Sequence, residues 1–494
     1  MGDTLRLLEP GFMKKEGHTP STSYQVNDKD ASYKDSLDPL SASSKRTIQS
    51  FHVCVAIVFL LNVGTSMIIP AQWPRMLLLD ATPSYLGLSI ALFSFGQMMG
   101  SNLFCYIFAE QSKYFRVSLI ISFVLIFLGD LGYFLGDRLW IVFVARAVSG
   151  FGFGNQEAIQ DYVEKCARVE RRADDVGKLS LFATISLVIG PLLTACLSAI
   201  PDDTEYGGIY MNVATLPGLI SALFALSCVF ILVRYDLNEP REEEDPDTQI
   251  MMFDTAPDAP KLVPGTSILA VLVVVYFVVF MNSSIFETVV VPYTMSCYDW
   301  PVLYNCFFFA SMGVVSAAAF FALQHAGQYL TDLSITIPSL YILTLGYLLV
   351  FPFTWEGDEC FVDSGAFFTG NYGHNQHVLL WRFLIGTVVI AFTYPSSFTG
   401  LVGMYAKVLF WMDPEVVSKR IFILKSAGYL SRILGPLWTS LTLEYQGSIT
   451  VFMIIGVLTL MCAISMSALR AKLDRLLQSF FQRNLSYSYS GLVE

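Results

Sequence analysis

Apolar residues in this chain are gathered into long runs rather than spread at the spacing of one helix face or one strand side, and residues 51–72 contain no Asp, Glu, Lys or Arg. About 20 such residues cross a bilayer. Inside hydrocarbon each backbone N–H and C=O must be paired within the protein, so runs of this kind form helices and not open strands. The pattern predicts twelve spans, at 49–71, 84–108, 115–136, 140–162, 177–199, 211–234, 267–292, 302–324, 333–354, 378–400, 419–442 and 449–470. An even number of crossings puts both chain ends on one side. Residues 239–247 read Glu-Pro-Arg-Glu-Glu-Glu-Asp-Pro-Asp, a run that cannot bury apolar surface. The segment 235–266 is therefore a solvated acidic linker between an N-terminal six-helix bundle, 49–234, and a C-terminal one, 267–470. Polar tails at 1–48 and 471–494 flank them.

Composition agrees with lipid as solvent. Of 494 residues 54% are apolar and 14% charged, against about 25% charged in soluble domains. The net charge of −11 says nothing about orientation, which follows Lys and Arg in short loops. One set of loops carries Lys113 and Arg116, a cluster from Lys165 to Lys178, Lys407, Lys419 and Arg420, then Arg470, Lys472 and Arg475. The opposite loops carry only Arg75 and Arg138, so both termini should face the cytosol. The polar first 48 residues lack the basic start, short apolar segment and small-residue site of a cleaved signal peptide. Most of the nine cysteines fall inside spans as small apolar residues, and only Cys297 and Cys360 share the non-cytosolic loops, where one disulfide could form.

The two halves repeat one another. The fourth span reads Arg146-Ala-Val-Ser-Gly150 and the tenth Arg382-Phe-Leu-Ile-Gly386, each arginine one or two turns from the non-cytosolic end. The fifth contains Gly190-Pro191 and the eleventh Gly435-Pro436. Arg382 follows Arg146 by 236 residues and Gly435 follows Gly190 by 245, nearly one period. A Gly-Pro pair frees backbone groups and bends a helix, which suits elements that rock between two access states. An ordinary packing kink is the alternative for either pair alone. As matched kinks, the two helices are expected to face one another across the pseudo-twofold axis.

These residues also carry a likeness. Gln72-Trp73-Pro74, Ser84-Tyr85-Leu86-Gly87, Ser94-Phe95-Gly96-Gln97-Met98, Phe286-Glu287-Thr288, Tyr394-Pro395 and Ser431-Arg432-Ile433-Leu434-Gly435-Pro436 resemble the major facilitator superfamily. Within it they resemble the ceroid-lipofuscinosis neuronal protein 7 group of lysosomal membrane proteins, over about residues 50 to 470. The resemblance implies an all-α membrane protein of two pseudo-symmetric six-helix bundles that moves a small solute or anion through a central cavity by alternating access. It also implies an alternative, a chloride or other anion channel on the same fold. The loop after the second span departs from the superfamily's gating motif: it reads Ala109-Glu110-Gln111-Ser112-Lys113, with no glycine and with Glu110 in the aspartate's place.

Charges within spans are costly unless paired or hydrated, so they are candidates for function. Asp130, Arg146, Glu157, Asp161, Glu287, Arg382, Lys425 and Arg432 qualify by position. Asp161 and Lys425 lie near cytosolic span ends, where a lysine can snorkel. Arg146 and Glu287 form the strongest pair, one able to hold an anion with a fork of donors and the other to load and release a proton in an acidic organelle. Arg382 could hold an anion with Arg146 from the other half, or each arginine could brace its own bundle. Arg432, Gln97, Asn155, Gln156 and Asn282 complete the candidate pathway, and Gly190, Pro191, Gly435 and Pro436 the candidate gate. Asn282-Ser283-Ser284 fits a glycosylation sequon but lies within a span, out of reach of the transferase. His374-Asn375-Gln376-His377 has no third ligand nearby and is read as a solvated loop, so no metal and no cofactor is expected.

Both tails carry address patterns. Asp3 stands four residues before the Leu7-Leu8 pair, and Tyr489 three before Leu492, patterns that resemble sorting signals read by clathrin adaptor complexes. They point to the lysosomal membrane, with the endosome behind it. The partners expected are a small-molecule or inorganic anion, protons, the lipid bilayer and those adaptors, and no nucleic acid. An intramembrane enzyme would need a nucleophile with its base, or a metal cluster, at one depth, and the sequence contains neither Gly-x-Ser-x-Gly nor His-Glu-x-x-His.

Overall fold

The computed structural model describes the backbone at 38–167, 172–201, 205–206, 209–235, 265–327, 329–351, 359–360, 375–376, 378–409 and 414–490, with 237 and 412, and side chains over most of 48–477. Asp3, Leu7, Leu8, Leu492, the side chains of Tyr489 and Cys360, His374, His377 and nearly all of the acidic linker lie outside the described residues.

The chain is helical nearly throughout. In order come α1 (Asp38–Leu77), α2 (Pro83–Glu110), α3 (Phe115–Leu135), α4 (Leu139–Phe153), α5 (Asn155–Cys166), α6 (Arg172–Leu197) and α7 (Leu216–Arg234). After the linker follow α8 (Thr266–Cys297), α9 (Val302–Ala326), α10 (Asp332–Val350), α11 (Leu380–Leu409), α12 (Pro414–Gln446) and α13 (Ser448–Ser490). Two antiparallel pairs of two-residue strands, β1 (Glu205–Tyr206) with β2 (Ile209–Tyr210) and β3 (Glu359–Cys360) with β4 (Asn375–Gln376), are the strands among the described residues.

Ten of the described helices are long and apolar enough to cross a membrane. The other two predicted spans fall short for visible reasons. The fourth is broken at Gly154 into α4 and α5, and α5 opens with Asn155-Gln156-Glu157; α12 carries Lys419, Arg420, Lys425 and Arg432. Of these polar residues, Glu157 and Lys425 meet across the halves, and Gln156 and Arg432 line the cavity between them, as described below. Several helices run past the predicted spans, α11 to Leu409 and α8 to Cys297, because hydrophobicity marks only the part that lies in hydrocarbon.

Each half has its own apolar core: Ile57, Phe104, Phe123 and Tyr162 belong to the first, Tyr293, Phe383, Tyr405 and Met404 to the second. Both also begin with the same turn. Asp80 after α1 and Asp299 after α8 have φ of 52° and 51°, the left-handed region that Asp tolerates, and a proline opens or precedes the next helix three or two residues on.

Helices α2 and α4 meet backbone to backbone. Gly96 and Gly100 stand one turn apart on α2, and a Cβ on Gly100 would come to 1.9 Å from the Phe151 carbonyl oxygen; one on Gly150 would come to 2.1 Å from that of Phe93. Small residues at four-residue spacing let membrane helices touch backbone to backbone where the hydrophobic effect offers no drive. Gly100→Val should therefore destabilise the bundle by about 1–3 kcal/mol, the usual weight of overpacking. Gly177→Ala, on α6 where a Cβ would meet nothing within 4 Å, should melt at or above the wild-type temperature. Thermal unfolding of the purified proteins in one detergent checks both.

Candidate functional site

A cavity of about 280 Å³ lies between the halves, lined from α1, α2, α4, α5 and α6 on one side and from α8, α11 and α12 on the other. Its charged groups are Arg146, Glu287 and Arg432. Arg146 comes from the α4 turn held against α2 by the glycine contact. Its guanidinium lies over the Phe93 ring at 4.2 Å and is 5% exposed, and its Nε and Nη1 have no hydrogen-bond partner in the protein. Glu287 and Arg432 are within electrostatic reach of Arg146, yet the three close no direct salt bridge. The Arg146–Glu287 pair expected from sequence is thus a shared cavity and not a contact.

Asp130 stands behind Arg146 and acts on it electrostatically. Its two carboxylate oxygens accept hydrogen bonds from Ser149 at 2.6 Å and Ser221 at 2.5 Å, which ties α3 to α4 and α7.

Of the other predicted residues, Gln97 lines the cavity with an unpartnered Oε1. Asn282 and Pro191 line a second lobe of about 160 Å³ that shares Ser66, Ser283, Glu287 and Tyr394 with the first. Asn155 lines neither lobe; it is fully buried, its Nδ2 donating to Ser122 Oγ at 2.6 Å. Arg382 does not line either lobe. It donates from Nη2 to the carbonyls of Leu349 and Phe351 at 3.1 and 2.8 Å, capping the end of α10, as a cation does at a helix C-terminus. In the first half that work falls to Arg75, which donates to the Tyr133 and Gly136 carbonyls at the end of α3. The paired arginines of the repeat therefore have different duties, and Arg146 is left to the cavity.

Neither Gly-Pro pair has the other among its nearest atoms. Gly190 admits Ser66 of α1, and Gly435 packs on Met281 and Ser284 of α8, the equivalent first helix of each half. Each kinked helix then reaches the opposite half: Gly313 of α9 meets Leu187 and Val188 of α6, and Gly87 of α2 meets Pro436 and Ser440 of α12.

Sequence reasoning missed the first helix. Asn62, Thr65, Ser66 and Gln72 of α1 all line the cavity. Their spacing places them along one face inside an otherwise apolar run, which is the signal that could have found them.

Two further contacts join the halves, one toward each membrane face. Toward the face where α2 begins, Ser84 donates its N–H, at 3.0 Å, and its hydroxyl to Glu444 of α12. Beneath it Val291 of α8 is buried among Trp73, Met76, Leu86 and Ile90. Toward the opposite face, Glu157 of α5 meets Lys425 Nζ at 3.2 Å and accepts a hydrogen bond from the Tyr429 hydroxyl, both on α12. Lys425 is thus a bridge between halves rather than a snorkelling side chain.

Residues 54–403 match the family model described as Major Facilitator Superfamily. The chain belongs to that superfamily of membrane transporters. It is 23% identical over 477 residues to major facilitator superfamily domain-containing protein 8 of Xenopus laevis, covering 87% of this chain and 91% of that protein. Among solved structures, it is similar to the human organic anion transporter MFSD10 (TM-score 0.58, 16% identity, 85% and 99% of the two chains covered). Another is a bacterial homolog of the human lysosomal transporter Spinster in an inward-facing and occupied conformation (TM-score 0.60, 13% identity, 88% and 96% covered).

Arginines with these different surroundings should respond differently to removal. Arg382→Ala leaves helix-end carbonyls uncapped and should cost about 1.5–3 kcal/mol, the weight of hydrogen bonds to a charged group. Arg146→Met leaves the buried Asp130 carboxylate without the cation that answers it and should also lower the melting temperature, but adding Asp130→Asn should recover part of that loss, which it should not do for Arg382→Ala. Thermal melts of the single and double variants check the difference.

Proposed function

We propose that the protein is a secondary transporter that moves a small anionic solute by alternating access, coupled to protons, in the membrane of a lysosome or endosome. The observation that carries this reading is Arg146: a buried guanidinium with free donors in a cavity between two halves, with a second guanidinium and one carboxylate in the same lining. With Glu287 ionised, two cations against one anion leave the lining at one positive charge, and with Glu287 protonated at two. Protonation therefore strengthens anion binding, and by reciprocity a bound anion favours the proton. One proton and one monoanion then move together as a neutral load.

Alternating access, rather than an open anion pore, is supported by the packed layer around Val291 and Trp73, which bars one mouth of the cavity, and by the Glu157–Lys425 bridge toward the other. Neither a dry apolar layer nor a cross-half ion pair suits a conduit that stays open. The loop after α2 lacks the usual gating residues, and Glu157 with Lys425 and Tyr429 supplies a contact of that kind from other helices. Location rests on the Asp3/Leu7/Leu8 and Tyr489/Leu492 patterns, with clathrin adaptors as their readers. Cytosolic termini follow from the loop charges.

Glu287→Gln keeps shape and removes the titrating proton, so anion flux into proteoliposomes should lose its dependence on external pH at equal protein density. Profiles identical to wild type would exclude the coupling role. Arg146→Lys keeps charge without the planar fork and should weaken anion uptake about tenfold or more, the weight of one hydrogen bond to a charged group. Changing Leu7 and Leu8 together to alanine should send the protein to the cell surface, as read by surface biotinylation. An unchanged location, with loss only on Tyr489→Ala, would assign sorting to the other tail.

A further inference from the structure

The cavity has two lobes of opposite character. In the first, Arg146, Arg432, Glu287 and Gln97 face one another across about 280 Å³. The second, about 160 Å³, is walled chiefly by Ile69, Leu187, Phe286, Phe309, Met312 and Ile390. Of the polar side chains in this lobe, Ser316 donates to the Ala391 carbonyl at 3.1 Å and Asn282 Nδ2 to the Val278 carbonyl at 2.6 Å, which leaves Asn282 Oδ1 and the Glu287 carboxylate as its polar groups without a hydrogen-bond partner. Ser66, Ile69, Leu187, Ser283, Glu287 and Tyr394 border both lobes, so a single molecule can lie across the join.

An inorganic anion would use only the first lobe. A fully hydroxylated solute would surrender its hydration in the second for few hydrogen bonds, at a cost that its polar groups could not recover there. A dry apolar cavity of about 150 Å³ is known to accept a benzene-sized group, and hydrocarbon in the second lobe would gain contacts that an unfilled wall lacks. The charge of the lining sets the other end: two guanidiniums against one carboxylate suit a single negative charge.

Building on the anion-transporter reading, we propose that the substrate is an amphipathic organic monoanion, its charged head beside Arg146 and Arg432 and an apolar body of phenyl or short-alkyl size in the second lobe. The head supplies acceptors for Arg146 Nε and Nη1, and the body displaces nothing that the lobe would miss.

The test uses the purified full chain and the permanently charged series methanesulfonate, propanesulfonate, butanesulfonate, pentanesulfonate and benzenesulfonate, with chloride alongside, in titration calorimetry. Affinity should rise about fourfold per methylene while the lobe fills, with benzenesulfonate in the range of the longer chains and chloride weakest. Ala391→Phe, which fills the second lobe, should flatten the series; Ser316→Leu fills it from another helix should the first variant fail to fold. Wild-type affinity independent of chain length overturns the proposal. So does a chain-length gain undiminished in both filled variants, because the body then lies elsewhere. Binding of all anions that is unaffected by Arg146→Met, or no anion binding at all, instead overturns the anion-transporter reading on which the proposal rests.

Discussion

A guanidinium inside a membrane bundle is costly unless its donors are satisfied or its charge is answered, and Arg146 meets that constraint only in part. The ring of Phe93 lies under it, and Asp130 answers its charge from behind while fully engaged by Ser149 and Ser221. Those serines come from α4 and α7, so the geometry of the charge depends on three helices staying in register. The α2–α4 contact through Gly96, Gly100 and Gly150 holds that register, since neither helix could approach so closely with larger side chains. Two donors of Arg146 remain unpartnered in the cavity lining, where on the reading proposed above an anion would meet them.

The two halves show how a duplicated scaffold acquires an asymmetric site. The turns at Asp80 and Asp299, the docking of Gly190 on α1 and of Gly435 on α8, and the arginine cap at the ends of α3 and α10 recur in both. The caps, however, are supplied from different positions. Arg382 serves its own half from the fourth helix of the repeat, whereas Arg75 does so from the end of α1. Transferring one structural duty to Arg75 releases Arg146 from it, so the first half brings a lone cation to the cavity where its counterpart brings Arg432 together with Glu287.

Contacts between the halves have unequal characters at the two faces. Around Val291 they are apolar and buried, reinforced by the Glu444 carboxylate against the first turn of α2, where a helix N-terminus favours negative charge. At Glu157 they are ionic, with side-chain exposures of 45% for Lys425 and 29% for Glu157, so water competes for them and the pair is weak. On the alternating-access reading, the ionic face is the one whose opening would cost the less packing.

Much of this was legible in the chain itself. Hydrocarbon forces helices on any long apolar run, so the spans, the two bundles and the charged residues worth attention followed from the order of residues, as did the repeat marked by Arg146 and Arg382. The break at Gly154 and the cavity face of α1 were present as a polar stretch and a helical spacing. What the sequence could not determine is which way each polar group turns. Arg146 and Arg382 occupy matching sequence contexts, and only the packing of α1 against α3, which brings Arg75 to the helix end, decides that one faces the cavity and the other a row of carbonyls. Glu157 and Lys425, 268 residues apart, likewise become partners only when α5 and α12 meet. Local sequence sets the backbone of each helix because its hydrogen bonds are internal, whereas the partners of a side chain are set by rotation and crossing of helices remote in the chain.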